Sequence, residues 1–309
     1  MITLAYVYWL AGAAFAGYAL LCAKARRYGN ASFWGLIALS MFDGDRLGDF
    51  GNGLLVLGLV AIAGFGGLKP GTDDVVSREH KQQRAARFGN GLFAIALIIP
   101  ATALIGTLLF KRFPEWIDPK QVTLISLALG VLIALGAGYA RLRPAALLPL
   151  QQGRRLIDSV GWAAILPQML ASLGAVFALA GVGDVVGGLI SQTIPKGSLM
   201  GAVIAYGLGM ALFTMIMGNA FAAFPVMIAA IGMPLLIKQY GGDPAIICAI
   251  GMLAGFCGTL MTPMAANFNL VPAALLELKD KNGVIKAQIG TAIPLLAVNI
   301  ALIYLLAFG

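Results

Sequence analysis

"GTLMTPMAANFNLVP" (residues 258–272) interrupts two strongly apolar runs with residues that a membrane-spanning helix rarely contains. It holds two prolines, two threonines and two asparagines: Pro263, Pro272, Thr259, Thr262, Asn267 and Asn269. A second interruption, "GNAFAAFP" (218–225), divides the apolar run before it. Irregular backbone at membrane depth survives only when it is buried in protein or lines a wet cavity. Both stretches therefore predict broken helices inside a membrane protein.

The composition sets the class of protein. The 309 residues are 60% hydrophobic and 11% charged, whereas soluble domains carry about 25% charged residues. Many apolar runs approach the ~20 residues that a helix needs to cross a bilayer. The predicted fold class is an all-α polytopic membrane protein with about 8–10 hydrophobic segments, including a re-entrant helical hairpin and broken helices.

Charge and spacing predict two regions within one integral-membrane domain. Residues 1–158 form a transmembrane scaffold region, and residues 159–309 form a transport-core region in which only Asp184 and Lys196 are charged up to residue 237. Segment 165–197 contains two helical runs joined at "GVGD", and neither is long enough for a relaxed crossing. This predicts a re-entrant hairpin with Gly181, Gly183 and Asp184 at its turn. Asp184 is interpreted as a cap of the second arm, with cation neutralisation or proton transfer as alternatives.

The first half of the chain gives a less regular pattern. Residues 2–23 are expected to be a retained first span. Residues 31–42 are too short to cross alone, so 31–67 is interpreted as one re-entrant element plus one span. Residues 68–88 are expected to be a solvated polar loop. Two helix starts are predicted from their caps, one at Asp118 and Pro119 and one after Asp158 and Ser159.

The net charge of +8 arises from juxtamembrane clusters. Basic residues collect near 24–27, 69–87 and 141–155, separated by pairs of apolar runs, as expected for cytoplasmic loops. This pattern predicts a multi-pass membrane protein with its N-terminus outside. Without aromatic residues among the basic ones, the clusters argue against nucleic-acid binding.

Signatures of enzymes and metal sites are missing from the sequence. Cys22, Cys248 and Cys257 lie far apart in apolar runs and form no metal or disulfide pattern. His80, in "SREHKQQR", has no partner for nucleophilic chemistry. The chain is therefore predicted not to be an enzyme and to need no cofactor, apart from a coupling Na⁺ or H⁺. An intramembrane enzyme using its aspartates is the less favoured alternative.

The broken helices suggest a binding site for a small polar solute, most simply an anionic one. Half-helix N-termini attract anions, and freed carbonyl groups can hold a cation. The predicted site is the turn Gly218, Asn219 and Ala220 together with Thr259, Thr262, Asn267 and Asn269. The alternative is that these side chains only hold helices together, at about 0.6 kcal/mol each.

Two long stretches resemble a known family. "GNAFAAFPVMIAAIGMPLLIKQYGGDPAIICAIGMLAGFCGTLMTPMAANFNLVPAALLELKD" (218–280) and "GVIKAQIGTAIPLLAVNIALIYLL" (283–306) closely resemble a bacterial inner-membrane family of formerly unknown function, identified as one subunit of a 5-oxoproline (pyroglutamate) transporter. The resemblance implies a partner, a second and smaller membrane subunit.

A looser resemblance concerns the predicted hairpin. "ASLGAVFALAGVGDVVGGLIS" (171–191) is similar to the re-entrant hairpin of gluconate- and citrate-type permeases, whose two inverted repeats each pair a hairpin with an unwound helix. Mapped here, the hairpin falls on 165–195 and the unwound turn on 218–221. Where those carriers have Ser-Asn-Thr, this chain has Gly218-Asn219-Ala220, so only the asparagine carries over. A second hairpin within 23–68 has only a weak candidate, "DGDRLGDFG" (43–51).

These observations predict a subunit of a secondary transporter, a symporter for a small organic acid such as 5-oxoproline. One clear hairpin and break suggests that this chain supplies half of the transport core and that its partner supplies the other half. The alternatives are a structural or assembly subunit without substrate ligands, or a complete carrier for another small carboxylate.

Overall fold

The computed structural model describes residues 2–69, 78–113, 115–193 and 197–308. Within those ranges the chain is helical, and an isolated bridge between Ile2 and Ile117 is its one β contact. The all-α prediction is confirmed. Lys196, residues 70–77 of the polar stretch and residues 194–195 of the predicted hairpin lie outside the described residues.

The chain divides into two compact units, Met1–Ser159 and Val160–Gly309. The helices of the first unit are α1 (Leu4–Lys24), α2 (Tyr28–Gly64), α3 (Arg78–Phe88), α4 (Gly91–Phe110), α5 (Val122–Leu142) and α6 (Leu148–Val160, which ends at the boundary).

Helix α2 is a hairpin that folds back on itself. Its backbone leaves helical geometry at Asp43 and at Gly48, whose φ of 62° suits a glycine. A straight helix would separate Leu36 from Gly58 by about 33 Å. Instead, the Leu36 side chain lies 3.4 Å from where a Cβ of Gly58 would be. The expectation of one re-entrant element plus one span is therefore wrong, and the weak hairpin candidate at 43–51 marks a real turn.

The two ends of this hairpin meet. The Asn30 amide accepts a hydrogen bond from Lys69 N (3.0 Å) and donates one to Lys69 O (3.1 Å). At the turn, Asn52 Nδ2 donates to the carbonyl groups of Gly44 (2.8 Å) and Gly48 (2.9 Å), which the break frees. Asn30 and Asn52 thus close the hairpin at its base and at its tip.

The tip of α2 lies near the first turns of α1. Phe42 contacts the position of Gly12 and Ala19 faces Gly35, so α1 and the first arm run antiparallel. Extending this register puts residues 43–48 opposite residues 6–11 of α1, where Tyr6 and Trp9 are exposed. Aromatic side chains of this kind mark a membrane interface. We therefore expect the charges of the tip to lie at interface level and not deep in hydrocarbon.

A buried carboxylate ties the base of the hairpin to α6. Asp158 accepts hydrogen bonds from Trp34 Nε1 (2.8 Å), Asn30 Nδ2 (2.9 Å) and the Arg27 guanidinium (2.5 Å). The predicted role of Asp158 as a helix cap is wrong, because α6 already begins at Leu148. A side chain ten residues into the helix faces the interior of the unit and not a free helix end.

Two further expectations for the first unit need correction. The stretch expected to be a polar loop contains helix α3, rich in Gln, Ala and Arg, which favour helix formation. Helix α5 begins at Val122 and not at Pro119. Asp118 accepts instead from Lys120 N (3.0 Å), which closes a local turn two residues along and delays the helix.

We expect Asp158→Ala to lower the free energy of unfolding by about 3 kcal/mol, because it leaves a largely buried guanidinium and two other donors without their acceptor. The measurement is the melting temperature of the full chain in detergent. Asp280→Ala is the matched control, since Asp280 pairs with Lys286 (2.7 Å) at an exposed position. Equal melting temperatures for the two variants would contradict this assignment.

The second unit contains the remaining helices. They are α7 (Leu166–Leu179), α8 (Val182–Thr193), α9 (Leu199–Met217), α10 (Ala220–Met227), α11 (Pro244–Leu260), α12 (Leu270–Leu275) and α13 (Gly283–Leu306), with a 3-10 turn at Gly161–Ala164 and a π-helix at Ile228–Gln239 that continues α10. The predicted start of α11 is confirmed, because Asp243 accepts from Ala245 N (2.7 Å) and Pro244 occupies the first turn.

Helices α7 and α8 are separated at the predicted "GVGD" break. Ser172–Leu179 and Val182–Leu189 are bent by 69°, so the arms form an angle well short of an antiparallel pair. Gly174 of α7 packs against Ala222, and Gly187 of α8 packs against Ala230. The two arms therefore pack along one helix, with α7 against α10 and α8 against its π-helical continuation.

Glycines let α11 approach α9 at close range. Gly251 faces Tyr206, Gly255 faces Met210, and Gly258 lies directly against the backbone of Ala211. Small residues at such interfaces permit the close backbone contact that holds membrane helices together. The core of this unit is formed where α9, α11, α13 and the π-helix meet.

Seven helices in the described residues are long and apolar enough to cross a membrane, and the bent pair α7–α8 brings the number to eight. With the shorter apolar helix Pro244–Leu260, these numbers agree with the predicted polytopic membrane protein of about 8–10 hydrophobic segments.

We expect Gly258→Ala to destabilise the second unit by about 1–3 kcal/mol, because the added methyl group meets the backbone of α9. Gly290→Ala on α13 is the control, since that position opens into free space and alanine favours a helix by up to about 1 kcal/mol. Melting in detergent should therefore move in opposite directions. A fall of equal size in both variants would contradict the proposed contact.

Candidate functional site

The first interruption separates α9 from α10 over two residues. Gly218 closes α9 with a φ of 70° and donates from its N–H to Thr214 O (2.7 Å). Asn219 then adopts an extended conformation, and its side chain accepts from Phe221 N (2.9 Å) as the N-cap of α10. The N–H groups of Ala220 and Ala222 precede the first backbone bond of α10, from Ala223 N to Asn219 O (3.1 Å). The break thus places a helix C-terminus beside a helix N-terminus.

The second interruption follows α11. The helix ends at Leu260, and irregular turns lead to the short helix α12, which begins at Leu270. Pro263 is exposed and Ala265 and Ala266 are buried, so the loop lies against the unit rather than projecting from it. The prediction of broken helices at both stretches is confirmed.

The structure brings the two interruptions together. Thr262 Oγ1 donates to Met215 O in the last turn of α9 (2.8 Å) and accepts from Met264 N (3.2 Å). The Met264 carbonyl lies against the Cα of Gly218 so closely that a Cβ there would collide with it. Gly218 is therefore required twice, once for its positive φ and once for this contact.

Asn269 completes the join from inside the loop. Its Nδ2 donates to Thr259 O (2.8 Å) and to Thr262 O (2.7 Å), and the residue is fully buried. Its Oδ1 has no hydrogen-bond partner among the described residues. A buried acceptor left in this way costs about 1–3 kcal/mol, so Asn269 satisfies two carbonyl groups at the expense of one unsatisfied oxygen.

The remaining predicted residues differ in their hydrogen bonding and in their exposure. Thr259 Oγ1 donates to Phe256 O (2.6 Å) within its own helix. Asn267 is exposed in the loop. Ala220 is buried at the first position of α10. The structure thus joins Thr259, Thr262 and Asn269 by hydrogen bonds and packs Gly218 against their loop, with Asn219 and Asn267 more exposed.

The predicted hairpin residues serve the packing of α8. Gly181 has a φ of 68° at the break, and Gly183 leaves room for Val226 O and Ala229. Asp184 lies exposed in the first turn of α8, where its negative charge interacts favourably with the partial positive charge of the helix N-terminus. That position suits the interpretation of Asp184 as a residue that supports the start of the second arm.

The chemistry of the site is that of neutral oxygen and nitrogen groups. The ends of α9 and α11 present carbonyl groups with partial negative charge, and the start of α10 presents N–H groups with partial positive charge. Within the described part of the chain, no group of His, Cys, Asp and Glu could hold a metal ion. The arrangement is suited to binding small ions and polar solutes.

Sequence reasoning missed the backbone partners of this site. Met215 and Met264 contribute carbonyl oxygens, and methionine side chains in an apolar run give no hint of that. Thr214 was also missed, although its Oγ1 is buried on α9 with no hydrogen-bond partner in the described residues. A polar residue one turn before a Gly-Asn break was the available signal.

We expect Thr262→Val to lower the melting temperature by the equivalent of about 1–3 kcal/mol, because it leaves the Met215 carbonyl buried without its donor. Thr262→Ser keeps the hydroxyl and should remain close to the wild type. Both are measured on the full chain in detergent. A valine variant as stable as the serine variant would show that this hydrogen bond does not hold the two breaks together.

Comparison with known proteins assigns a family. The chain belongs to the family described as "Protein of unknown function (DUF979)", whose model matches residues 5–308. No curated protein and no solved structure matches the chain. The family model covers both units.

Proposed function

We propose that this protein is a subunit of a secondary transporter for a small organic acid, 5-oxoproline in particular. The observation that carries the proposal is the junction of two broken helices, where Thr262 bonds to Met215 O and Gly218 lies against Met264 O. Discontinuous helices that meet in this way are the usual setting for substrate and coupling-ion sites in secondary transporters.

The start of α10 is the anion-binding part of the proposed site. Its first N–H groups, at Ala220 and Ala222, carry the partial positive charge of a helix N-terminus. Asn219 accepts the hydrogen bond from Phe221 N, and the N–H groups of Ala220 and Ala222 remain for a ligand. A substrate carboxylate would lie at this end, where it receives hydrogen bonds without needing a basic residue.

Asn267 supplies the second contact. Its side chain is exposed on the loop that packs against Gly218, and an amide can both donate and accept hydrogen bonds. The lactam of 5-oxoproline offers one N–H and one C=O, so a single amide can pair with both. Thr262 and Asn269 hold this loop in position through their bonds to the backbone.

The partner is a second, smaller membrane subunit. A half-transporter would supply one such arrangement of broken helices, and its partner would supply the other. The α2 hairpin argues against that division, because the first unit of this chain contains a helical hairpin in addition to the bent pair α7–α8. The alternative, a complete carrier, gains support from it, and expression of the chain alone distinguishes the two.

The orientation follows from the two ends of the first unit. One end carries the α4–α5 loop with Lys111, Arg112 and Lys120, beside Ile2, whose N–H donates to Trp116 O (2.7 Å). The opposite end carries more basic residues: Lys24, Arg26, Arg27, Lys69, Arg141, Arg143, Arg154 and Arg155. By the positive-inside rule the latter end faces the bacterial cytoplasm. The segment before α1 would then lie on the outer side of the inner membrane.

A structural or assembly subunit is the second candidate. Asn219, Thr262 and Asn269 all bond to groups of their own chain, which is what helix-stabilising residues do. Under this alternative, substitutions that preserve those bonds should leave uptake unaffected whatever charge they carry.

We expect Asn219→Asp to abolish most uptake of labelled 5-oxoproline in cells expressing the chain with its partner, while Asn219→Ser retains it. Aspartate and serine both cap helices about as well as asparagine, so α10 should form in each variant. Only the aspartate adds a negative charge at the proposed carboxylate site. Equal uptake by the two variants, at equal membrane levels, would remove the anion site from α10 and favour the assembly role.

Substitution of the loop amide tests the second contact. We expect Asn267→Ala to reduce uptake without altering melting, whereas Asn282→Ala, another exposed asparagine outside the site, should change neither uptake nor melting.

Cells expressing this chain alone, its partner alone and both together show whether the carrier needs two subunits. No uptake in any combination, with both proteins present in the membrane, would exclude 5-oxoproline as the substrate.

A further inference from the structure

One oxygen in the cluster has a fixed direction and no partner. Asn269 Nδ2 uses its two hydrogens on two carbonyl oxygens, Thr259 O and Thr262 O. A flipped amide would turn Oδ1 toward those same oxygens, acceptor against acceptor, so the orientation of the side chain is determined. Oδ1 therefore faces away from both carbonyl groups, fully buried and unpartnered among the described residues.

Asn269 lies beside the C-terminal ends of two helices. Helix α11 ends at Leu260 and helix α9 ends at Met217, and Thr262 links the two ends through Met215 O. The carbonyl groups of both last turns carry partial negative charge. An acceptor without a donor at such a place calls for a positive group. A buried unsatisfied atom in a native protein commonly marks an ion or a water molecule.

The burial of this oxygen favours a small ion. Oδ1 has almost no surface accessible to a water molecule, so any ligand beside it displaces the neighbouring atoms, and a water molecule or the similarly sized potassium ion displaces them most. A dehydrated sodium ion is smaller and prefers oxygen ligands such as amide and backbone carbonyl groups. None of these groups titrates near neutral pH, so the cluster suits an ion rather than a proton.

We propose that Asn269 Oδ1 is a ligand of a dehydrated sodium ion bound between the C-terminal ends of α9 and α11. Backbone carbonyl groups of the two last turns would complete its coordination, as unwound helices do for ions inside membranes. The amide then has a structural and a binding role, with Nδ2 holding the loop and Oδ1 holding the ion.

The site gives the proposed transport its coupling ion. That role rests on the proposed function, whereas occupancy by sodium does not and can be measured without any substrate. A bound cation close to the break would also draw a carboxylate toward the start of α10, since Gly218 links that break to the loop. Ion and acid would then bind with positive cooperativity.

The first test is equilibrium binding of radiolabelled sodium to the full-length protein in detergent, without organic acid. We expect saturable binding of one ion per chain, displaced by unlabelled sodium chloride and not by choline chloride. Asn269→Ala should weaken binding about tenfold or more, equivalent to about 1.4 kcal/mol. Asn282→Ala, exposed and outside the site, should bind sodium as the wild type does.

The second test needs no variant, and it decides the question if Asn269→Ala fails to fold. Hydrogen–deuterium exchange of the wild type is compared in sodium chloride and choline chloride. We expect slower exchange in sodium for peptides covering 212–220 and 258–270, and no change in α13. Potassium chloride should behave as choline chloride does.

The proposal is overturned if the wild type binds no sodium saturably, if exchange is the same in all three salts, or if Asn269→Ala binds as tightly as Asn282→Ala. Sodium binding without 5-oxoproline uptake would keep the ion site and reject the substrate. Uptake that is equal in sodium and choline, with no sodium bound, would keep the transporter and reject this site.

Discussion

The hydrogen bond from Thr262 Oγ1 to Met215 O joins two helices at the points where each stops being a helix. Away from water, every freed backbone group must find a partner inside the protein. Met215 O finds a hydroxyl, Thr259 O and Thr262 O find an amide, and Asn219 caps the helix that starts again. The broken helices are tolerable because they satisfy each other, and this constraint forces the two interruptions to one place.

The same constraint organises the first unit at a different point. There the two ends of the hairpin α2 lie side by side at its base. Asn30 joins them through hydrogen bonds to both backbone groups of Lys69. Asp158 then accepts hydrogen bonds from Arg27, Asn30 and Trp34. A carboxylate whose oxygens are already bonded this fully serves architecture. Asn269, in contrast, keeps one oxygen without a partner, and that difference separates a structural cluster from a candidate binding site.

Close packing explains why these clusters stay in position. Gly251, Gly255 and Gly258 let α11 lie against α9, which brings the ends of the two helices within reach of one side chain. The bent pair α7–α8 approaches α10 and the π-helix by the same means, through Gly174 and Gly187. Dispersion contacts at short range replace the hydrophobic effect, which gives little drive for helix association in lipid. Rigid helices therefore position a loop that carries the polar groups.

The sequence by itself determined the class of protein, the places where helices break and the residue types gathered there, because these follow from composition, run length and local backbone chemistry. It also placed Pro244 at the start of α11 and the break at Gly181. Only the tertiary structure decided that α2 reverses, that Asp158 is a buried acceptor instead of a cap, and that Met215 and Met264 serve the site through their carbonyl groups. These depend on contacts between residues far apart in the chain, and backbone oxygens have no signature in a sequence. The direction of Asn269 Oδ1 is likewise fixed by two carbonyl groups whose positions only the folded unit defines.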